Sequence, residues 1–211
     1  STNTLIWKHA ERWFLWIFLA ARVWLLIMQW GVKSGWDATY HLDMVSLWDW
    51  SDPVMDIRAY FYAYHPPLGF LLAKLFVFLG VGSVASVQII SWLASLTAFF
   101  FLRQSVKVLQ LLDRPVGIAF VYLTSSLPQQ VYLSWSINLD GIIFACASVI
   151  LWASIAKKPL PLITAFCTAF LTKFSAVLLL PLPFLVVLAH TGFTRNAGKN
   201  LLRAAVPILV S

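Results

Sequence analysis

The sequence predicts an all-α fold, a bundle of several transmembrane helices, from three observations. Hydrophobic residues make up 61% of the 211 residues, charged residues only 11%, and the mean hydropathy is +0.83. A soluble domain needs a more polar surface than this composition provides. Apolar runs recur along the chain, several near the ~20 residues that cross a ~30 Å hydrocarbon core. Strand-like alternation is absent, and a helix satisfies its own backbone groups inside a bilayer.

The apolar runs give the predicted elements in chain order. We expect spans at about 13–30, 84–102, 115–133, 139–156, 160–173 and 175–190, with a seventh starting near 203. The segment 33–83 then becomes the first outer loop. The chain starts without Met and stops inside an apolar run of about half a span. We therefore expect residues 1–211 to be one membrane module of a longer protein.

The direction of every later span depends on residues 66–82, which are apolar apart from Lys74 in their middle. Lys and Arg favour cytoplasmic loops, and Lys8 and Arg12 precede the first span, so the N-terminus is predicted to be cytoplasmic. A crossing at 66–82 would put three later basic clusters outside, at 103–114, 157–158 and 195–203. A helix lying in the outer interface, with Lys74 snorkelling to the headgroups, returns all three to the cytoplasm. We therefore predict an interfacial helix.

This topology has two consequences for partners. The net charge of +7 reads as a topology signal in a membrane protein, so we expect no nucleic-acid partner. Three segments also share one outer face: the loop 33–83, the turn around Asn138–Asp140 and the turn around Thr172–Phe174. The ionisable residues of these segments are predicted to meet in one site.

Two carboxylates are the candidates for chemistry. Five of the eight acidic residues lie in the first outer loop, and of these Asp49, Asp52 and Asp56 fit a solvated surface. Asp37 follows the first span directly, among aromatic residues, where a partly desolvated carboxylate suits proton abstraction. Asp140 starts the fourth span, where it serves either as a first-turn acid stabilised by the helix dipole or as a second site residue.

Cations and a histidine on the same face suit an anionic ligand. Arg22 lies near the middle of the first span, which costs several kcal/mol unless the group is paired, so it marks a functional or interhelical contact. Lys173 is an interface anchor or a ligand. Arg22, Lys74 and Lys173 together could hold a lipid phosphate. His65 is a polar residue, a proton carrier or a metal ligand, and with His41 and Asp37 it leaves a divalent metal open.

These motifs, in this order, resemble a known family. An Arg within the first span, Asp37 in "DATY", "HPPLG" opening an outer helix, Asp140 in "NLDGI" and Lys173 in "LTKFS" resemble the GT-C membrane glycosyltransferases. The likeness is to the protein O-mannosyltransferase and aminoarabinose-transferase type, and it covers roughly residues 22–188. It implies an N-terminal module of seven spans whose first outer loop carries two interfacial helices.

The resemblance also implies an activity. Such enzymes transfer a sugar, with inversion, from a polyprenyl-phosphate donor to a protein, lipid or glycan acceptor on the outer face. By this likeness Asp37 is the general base and Asp140 lines the site. By the same likeness, Arg22 and Lys173 would hold the leaving phosphate. The residues expected to bind substrate are Arg22, Tyr40, His65, Lys74 and Lys173.

Two positions depart from the family pattern. Ala38 stands where relatives commonly have Glu, and Gln88 stands where they commonly have Arg at the start of the second span. A neutral amide does not replace a charge on phosphate. A non-catalytic GT-C-like subunit or scaffold is therefore an alternative, and a transporter is a third class with intramembrane charges. The short loops favour a bacterial cell membrane.

Overall fold

The structure is a computed structural model that describes residues 2–35, 37–47 and 66–191. Every regular element in these ranges is helical, so the predicted all-α class is confirmed for them. The α-helices are α1 (Thr2–Met28), α2 (Ala38–Leu47), α3 (Leu68–Phe78), α4 (Ser83–Val108), α5 (Pro115–Ser125), α6 (Pro128–Leu133), α7 (Asp140–Ala156), α8 (Pro159–Phe170) and α9 (Pro181–Thr191). A 3₁₀ helix, Phe174–Leu179, precedes α9.

One helix of the described part, α4, is long and apolar enough to cross a membrane. The other apolar helices there are shorter than 18 residues. This observation is compatible with a membrane location. The arrangement with several spans stays a prediction.

The helix directions alternate along the bundle. Trp92 Nε1 donates to the carbonyl oxygen of Arg22 at 3.2 Å, and Arg103 pairs with Glu11 further along, so α1 and α4 are antiparallel. The rings of Phe99 and Tyr122 lie 5.5 Å apart while Gly117 approaches Val106, so α5 returns antiparallel to α4.

The largest contact in the bundle joins α4 to α7. Gly141 faces Ser91 and Ala94, and the rings of Phe101 and Trp152 lie 5.0 Å apart, so α7 runs parallel to α4. The hairpin to α8 turns at Lys157, whose φ of 55° is left-handed. The C-termini of α1 and α8 therefore lie at the same end as the N-termini of α4 and α7. We call this the site end, and the opposite end the basic end.

Both termini of α3 lie at the site end. Its N-terminal Gly69 touches Leu139 and Thr172, and the turn that follows it, at 80–82, lines a cavity with Trp30 and Gly31 at the end of α1. An 11-residue helix is about 16 Å long. Residues 66–82 therefore start and finish at the same end of the bundle, and the placement of α3 in a membrane interface stays a prediction.

The predicted spans at 115–133 and 175–190 are interrupted, which corrects those two predictions. The first divides at residues 126–127, because Pro128 begins α6 and has no backbone N–H to continue the helix of α5. The second divides before Pro181 into the 3₁₀ helix and α9. The helix at the first predicted span, α1, begins at Thr2, about eleven residues earlier than expected. The predicted seventh span near 203 lies outside the described residues.

Candidate functional site

The three segments that the sequence placed on one face do meet at the site end. The backbone N–H of Leu68 donates to the carbonyl oxygen of Leu171 at 2.9 Å, which joins the start of α3 to the end of α8. A Cβ on Gly69 would lie 2.7 Å from Leu139 and 3.3 Å from Thr172. The start of α3 therefore lies in close contact with the side chains of both turns. The "PPLG" stretch therefore packs directly against the two turns that carry Asp140 and Lys173.

Asp140 and Lys173 form an ion pair. Lys173 Nζ lies 2.6 Å from Asp140 Oδ1, and the side chains remain 25% and 42% exposed respectively. Asp140 is the first residue of α7, and its N–H donates to Asn138 Oδ1 at 2.7 Å. A carboxylate in the first turn of a helix is stabilised by the helix dipole. The pair is thus fixed at its base and open to an incoming ligand.

The backbone just before Asp37 is docked on the loop that leads to Asp140. The N–H of Ile137 donates to the carbonyl oxygen of Ser34 at 2.9 Å. Gly35 has a φ of 136°, and a Cβ there would lie 2.9 Å from the carbonyl oxygen of Ile137. The loop after α1 is therefore docked on the loop before α7. The backbone carbonyl oxygen of Asp37 accepts the first hydrogen bond of α2, from the N–H of His41 at 3.1 Å, so Asp37 is the N-cap residue.

Gln88 and Ser91 of α4 hold the two loops, a role that the sequence did not reveal. Gln88 is fully buried; its Nε2 donates to the carbonyl oxygens of Gln29 and Val32 at 2.7 and 3.1 Å, and its Oε1 accepts from Gly31. Ser91 Oγ donates to the carbonyl oxygens of residues 136 and 138, at 2.9 and 3.3 Å. The side-chain amide of Gln88 thus binds the turn that follows α1 and positions the segment leading to Asp37.

Arg22 is buried within the bundle, with 3% of its surface exposed. Its Nη1 donates to Ser134 Oγ at 2.7 Å and to the carbonyl oxygen of Gln130 at 3.4 Å, and its Nη2 donates to the carbonyl oxygen of Ser125. The guanidinium also lies over the ring of Phe18. These oxygens flank the break between α5 and α6. The sequence left two roles open for Arg22, a functional contact or an interhelical contact. The structure shows the interhelical contact.

The other predicted residues of the outer loop lie on α2 and α3. Lys74 Nζ donates to the carbonyl oxygen of Ser46 at 3.3 Å, near the C-terminus of α2, where a cation is stabilised by the helix dipole. Tyr40 is half exposed on α2. His41 is buried, with its ring 5.9 Å from that of Phe70. Lys74 thus joins the two short helices of this loop, and the predicted contact of Lys74 with headgroups stays a prediction.

His65, Asp49, Asp52 and Asp56 lie outside the described residues, so their predicted roles stay predictions. Within the described ranges, no group of three or more His, Cys, Asp or Glu side chains could hold a metal ion. The divalent metal left open by the sequence likewise stays a prediction.

An apolar cavity of about 330 Å³ is lined by α3, α4, α7 and α8. Its α7 wall starts at Ile142, two residues after Asp140, and its α8 wall ends at Thr168, five residues before Lys173. Leu72 of α3 lies over it. A chain of isoprene or acyl units suits such a surface because burial of apolar area is favourable.

Compared with protein-family models, with curated proteins and with solved structures, the chain has no match. The family resemblance therefore depends on the motifs alone.

Proposed function

We propose that this chain is a membrane glycosyltransferase with several spans, which transfers a sugar from a polyprenyl phosphate to a hydroxyl acceptor at the outer face. One observation carries the proposal. The backbone just before Asp37 is docked on Ile137, three residues before Asp140 of the Asp140–Lys173 ion pair, so the segments of both candidate carboxylates and the cation meet at the site end. The apolar cavity begins two residues further along α7, at Ile142. A bacterial cell membrane is the proposed location, because the loops are short.

The proposed reaction uses two of these groups directly. Asp37 takes the proton of the acceptor hydroxyl as its oxygen bonds to the anomeric carbon. The bond from that carbon to the phosphate oxygen breaks, and the polyprenyl phosphate leaves with the bonding electrons. Lys173 stabilises the charge that develops on this phosphate, and Asp140 holds the Lys173 ammonium in position. The ion pair is partly exposed, so a phosphate oxygen can reach the remaining Nζ protons.

The polyprenyl chain of the donor is proposed to lie in the cavity beneath α3. The position of Arg22 suggests a supporting task instead of contact with phosphate, because its donors already bind oxygens of α5 and α6. The neutral Gln88 is explained in the same way, since it holds the turn after α1. The proposed donor contact is therefore Lys173, and the contacts of His65 and Tyr40 with substrate stay predictions.

The test is transfer of radiolabelled sugar from a panel of polyprenyl-phosphate sugars, measured in membranes that contain the chain. Asp37→Asn should abolish transfer without loss of stability, because Asn is as good an N-cap as Asp but is no base at neutral pH. Asp43→Asn, the same substitution on the exposed face of α2, should leave transfer unchanged. Full activity in Asp37→Asn would remove Asp37 as the base.

A charge exchange separates a catalytic pair from a structural pair. Asp140→Lys combined with Lys173→Asp should restore the ion pair and most of the stability but no transfer, since the cation then stands in the wrong place. If the exchanged chain were as active as the original, the pair would be structural. If the unmodified chain transferred no sugar from any donor, the non-catalytic subunit would be the better explanation.

A further inference from the structure

Another cavity, of about 590 Å³, opens at the basic end of the bundle. It lies between the start of α1, the last turns of α4 and the loop before α5. Five cationic side chains line it, against the two carboxylates of Glu11 and Asp113; the cations are Lys8, Arg12, Arg103, Lys107 and Arg114. A concave surface with this excess of positive charge attracts anions.

One of the two carboxylates is already neutralised inside the bundle. Glu11 is 5% exposed, its Oε1 lies 2.6 Å from Arg103 Nε, and it accepts a hydrogen bond from Tyr122 at 3.3 Å. Glu11 and Arg103 therefore compensate each other. The other four cations remain, and Asp113 is the one further carboxylate among the described residues that line the cavity.

The loop that carries Arg114 is fixed by close packing. A Cβ on Gly117 would lie 2.0 Å from the carbonyl oxygen of Leu111, so this loop touches the backbone of α5. The N–H of Leu111 donates to the carbonyl oxygen of Val106 at 3.0 Å. The N–H of Arg114 donates to the carbonyl oxygen of Leu111, also at 3.0 Å. The backbone positions that carry the cations of the loop and of α4 are thus fixed relative to each other, which reduces the backbone entropy lost on binding a ligand.

An apolar surface adjoins the cations. Directly after Arg12, α1 exposes Trp13, Trp16 and Ile17, which are 69%, 66% and 61% exposed. Tryptophan is typical of the headgroup level of a membrane. A ligand that carries both an anionic group and apolar tails would bind the cavity and this surface together, whereas a free ion would use the cavity alone.

We propose that the basic end binds the phosphate of an anionic phospholipid headgroup, with Arg12, Lys107 and Arg114 as its partners and the α1 aromatics against its tails. About 22 Å of α4 separate Gln88 from Arg103. This site is therefore distinct from the Asp140–Lys173 pair and does not depend on sugar transfer.

The test uses the full chain in neutral detergent and titrates phosphatidylglycerol or phosphatidylcholine of equal tails, with bound lipid counted by native mass spectrometry. Phosphatidylglycerol should bind more tightly. Arg12→Gln with Lys107→Gln should weaken its binding about 25-fold, at about fivefold per cation near a lipid surface. The matched control, Lys157→Gln with Lys158→Gln, removes two exposed cations outside the cavity and should change nothing.

Two further measurements keep the result interpretable. Arg12→Lys with Lys107→Arg keeps both charges and should keep the preference, which separates lost charge from lost folding. An excess of inorganic phosphate should displace little lipid, because it lacks the tails. Equal binding of both lipids, or equal loss in the control, would overturn the site. Complete displacement by phosphate would overturn the lipid as its ligand.

Discussion

Gln88 and Ser91 lie one turn apart on α4, and each holds one of the two loops that carry the candidate carboxylates. Gln88 binds the turn after α1, and Ser91 binds the loop before α7. Both side chains are fully buried. A single helix face therefore sets the distance between the Asp37 and Asp140 segments, although neither Gln88 nor Ser91 need touch a substrate.

Gln88→Leu should lower the stability of the protein by about 2–4 kcal/mol, because each buried backbone group that loses its partner costs about 1–3 kcal/mol. For a chain of this size that corresponds to a drop of roughly 5–15 °C in Tm. The measurement is thermal unfolding in detergent. Gln104→Leu, the same substitution about four turns along α4, is the control and should shift the Tm by much less. Equal shifts would show that Gln88 has no special role in holding the turn.

Gly35→Ala should separate the two docked loops. A Cβ would collide with the carbonyl oxygen of Ile137 at 2.9 Å, and the φ of 136° is strained for any side chain. We expect a loss of about 2–4 kcal/mol from the contact and the backbone strain together, and a fall in sugar transfer.

Gly31 supplies the matched control for this substitution. It also has a positive φ, of 74°, but nothing lies within 4 Å of its Cβ position. Gly31→Ala should therefore lower the stability by only about 1–2 kcal/mol, the penalty for placing a side chain in the left-handed conformation. Similar losses in both variants, measured by thermal unfolding, would contradict the docking of Gly35 on Ile137.

Arg22→Met should destabilise the protein without changing the KM for the lipid donor. The variant leaves the carbonyl oxygen of Ser125 without the Arg22 donor, next to the break between α5 and α6. We expect a loss of about 3 kcal/mol or more, as for a buried charged hydrogen bond. Ser134→Ala removes one partner of Arg22 and should cost about 1 kcal/mol. A raised donor KM in Arg22→Met, with stability unchanged, would instead place Arg22 on the phosphate.

The sequence predicted that the loop 33–83 and the turns around residues 138–140 and 172–174 lie together. It did not predict the side chains that hold them in place. The distribution of Lys and Arg was enough to predict that these segments lie together, because it predicts the direction of each helix. Pro128 indicates that the predicted span 115–133 is interrupted, but a prediction from the number of consecutive apolar residues does not take this proline into account. The role of Gln88 could not be predicted, because its partners are backbone groups of residues 29–32, whose position depends on how α1 and α4 pack. The same holds for Arg22 and its three oxygens.

Membrane topology can be tested by cysteine labelling in a chain whose Cys146 and Cys167 are replaced by Ala. Phe174→Cys lies at the site end, at a position that is 61% exposed, and Lys158→Cys lies in the turn between α7 and α8 at the basic end. A membrane-impermeant maleimide should label Phe174→Cys in intact cells and Lys158→Cys only after permeabilisation. The two positions lie at opposite ends of the bundle because α8 runs from the basic end to the site end. The distribution of Lys and Arg predicts that the basic end is cytoplasmic. Labelling of Lys158→Cys from outside would invert the orientation and place the candidate carboxylates in the cytoplasm, where the proposed outer-face transfer could not occur.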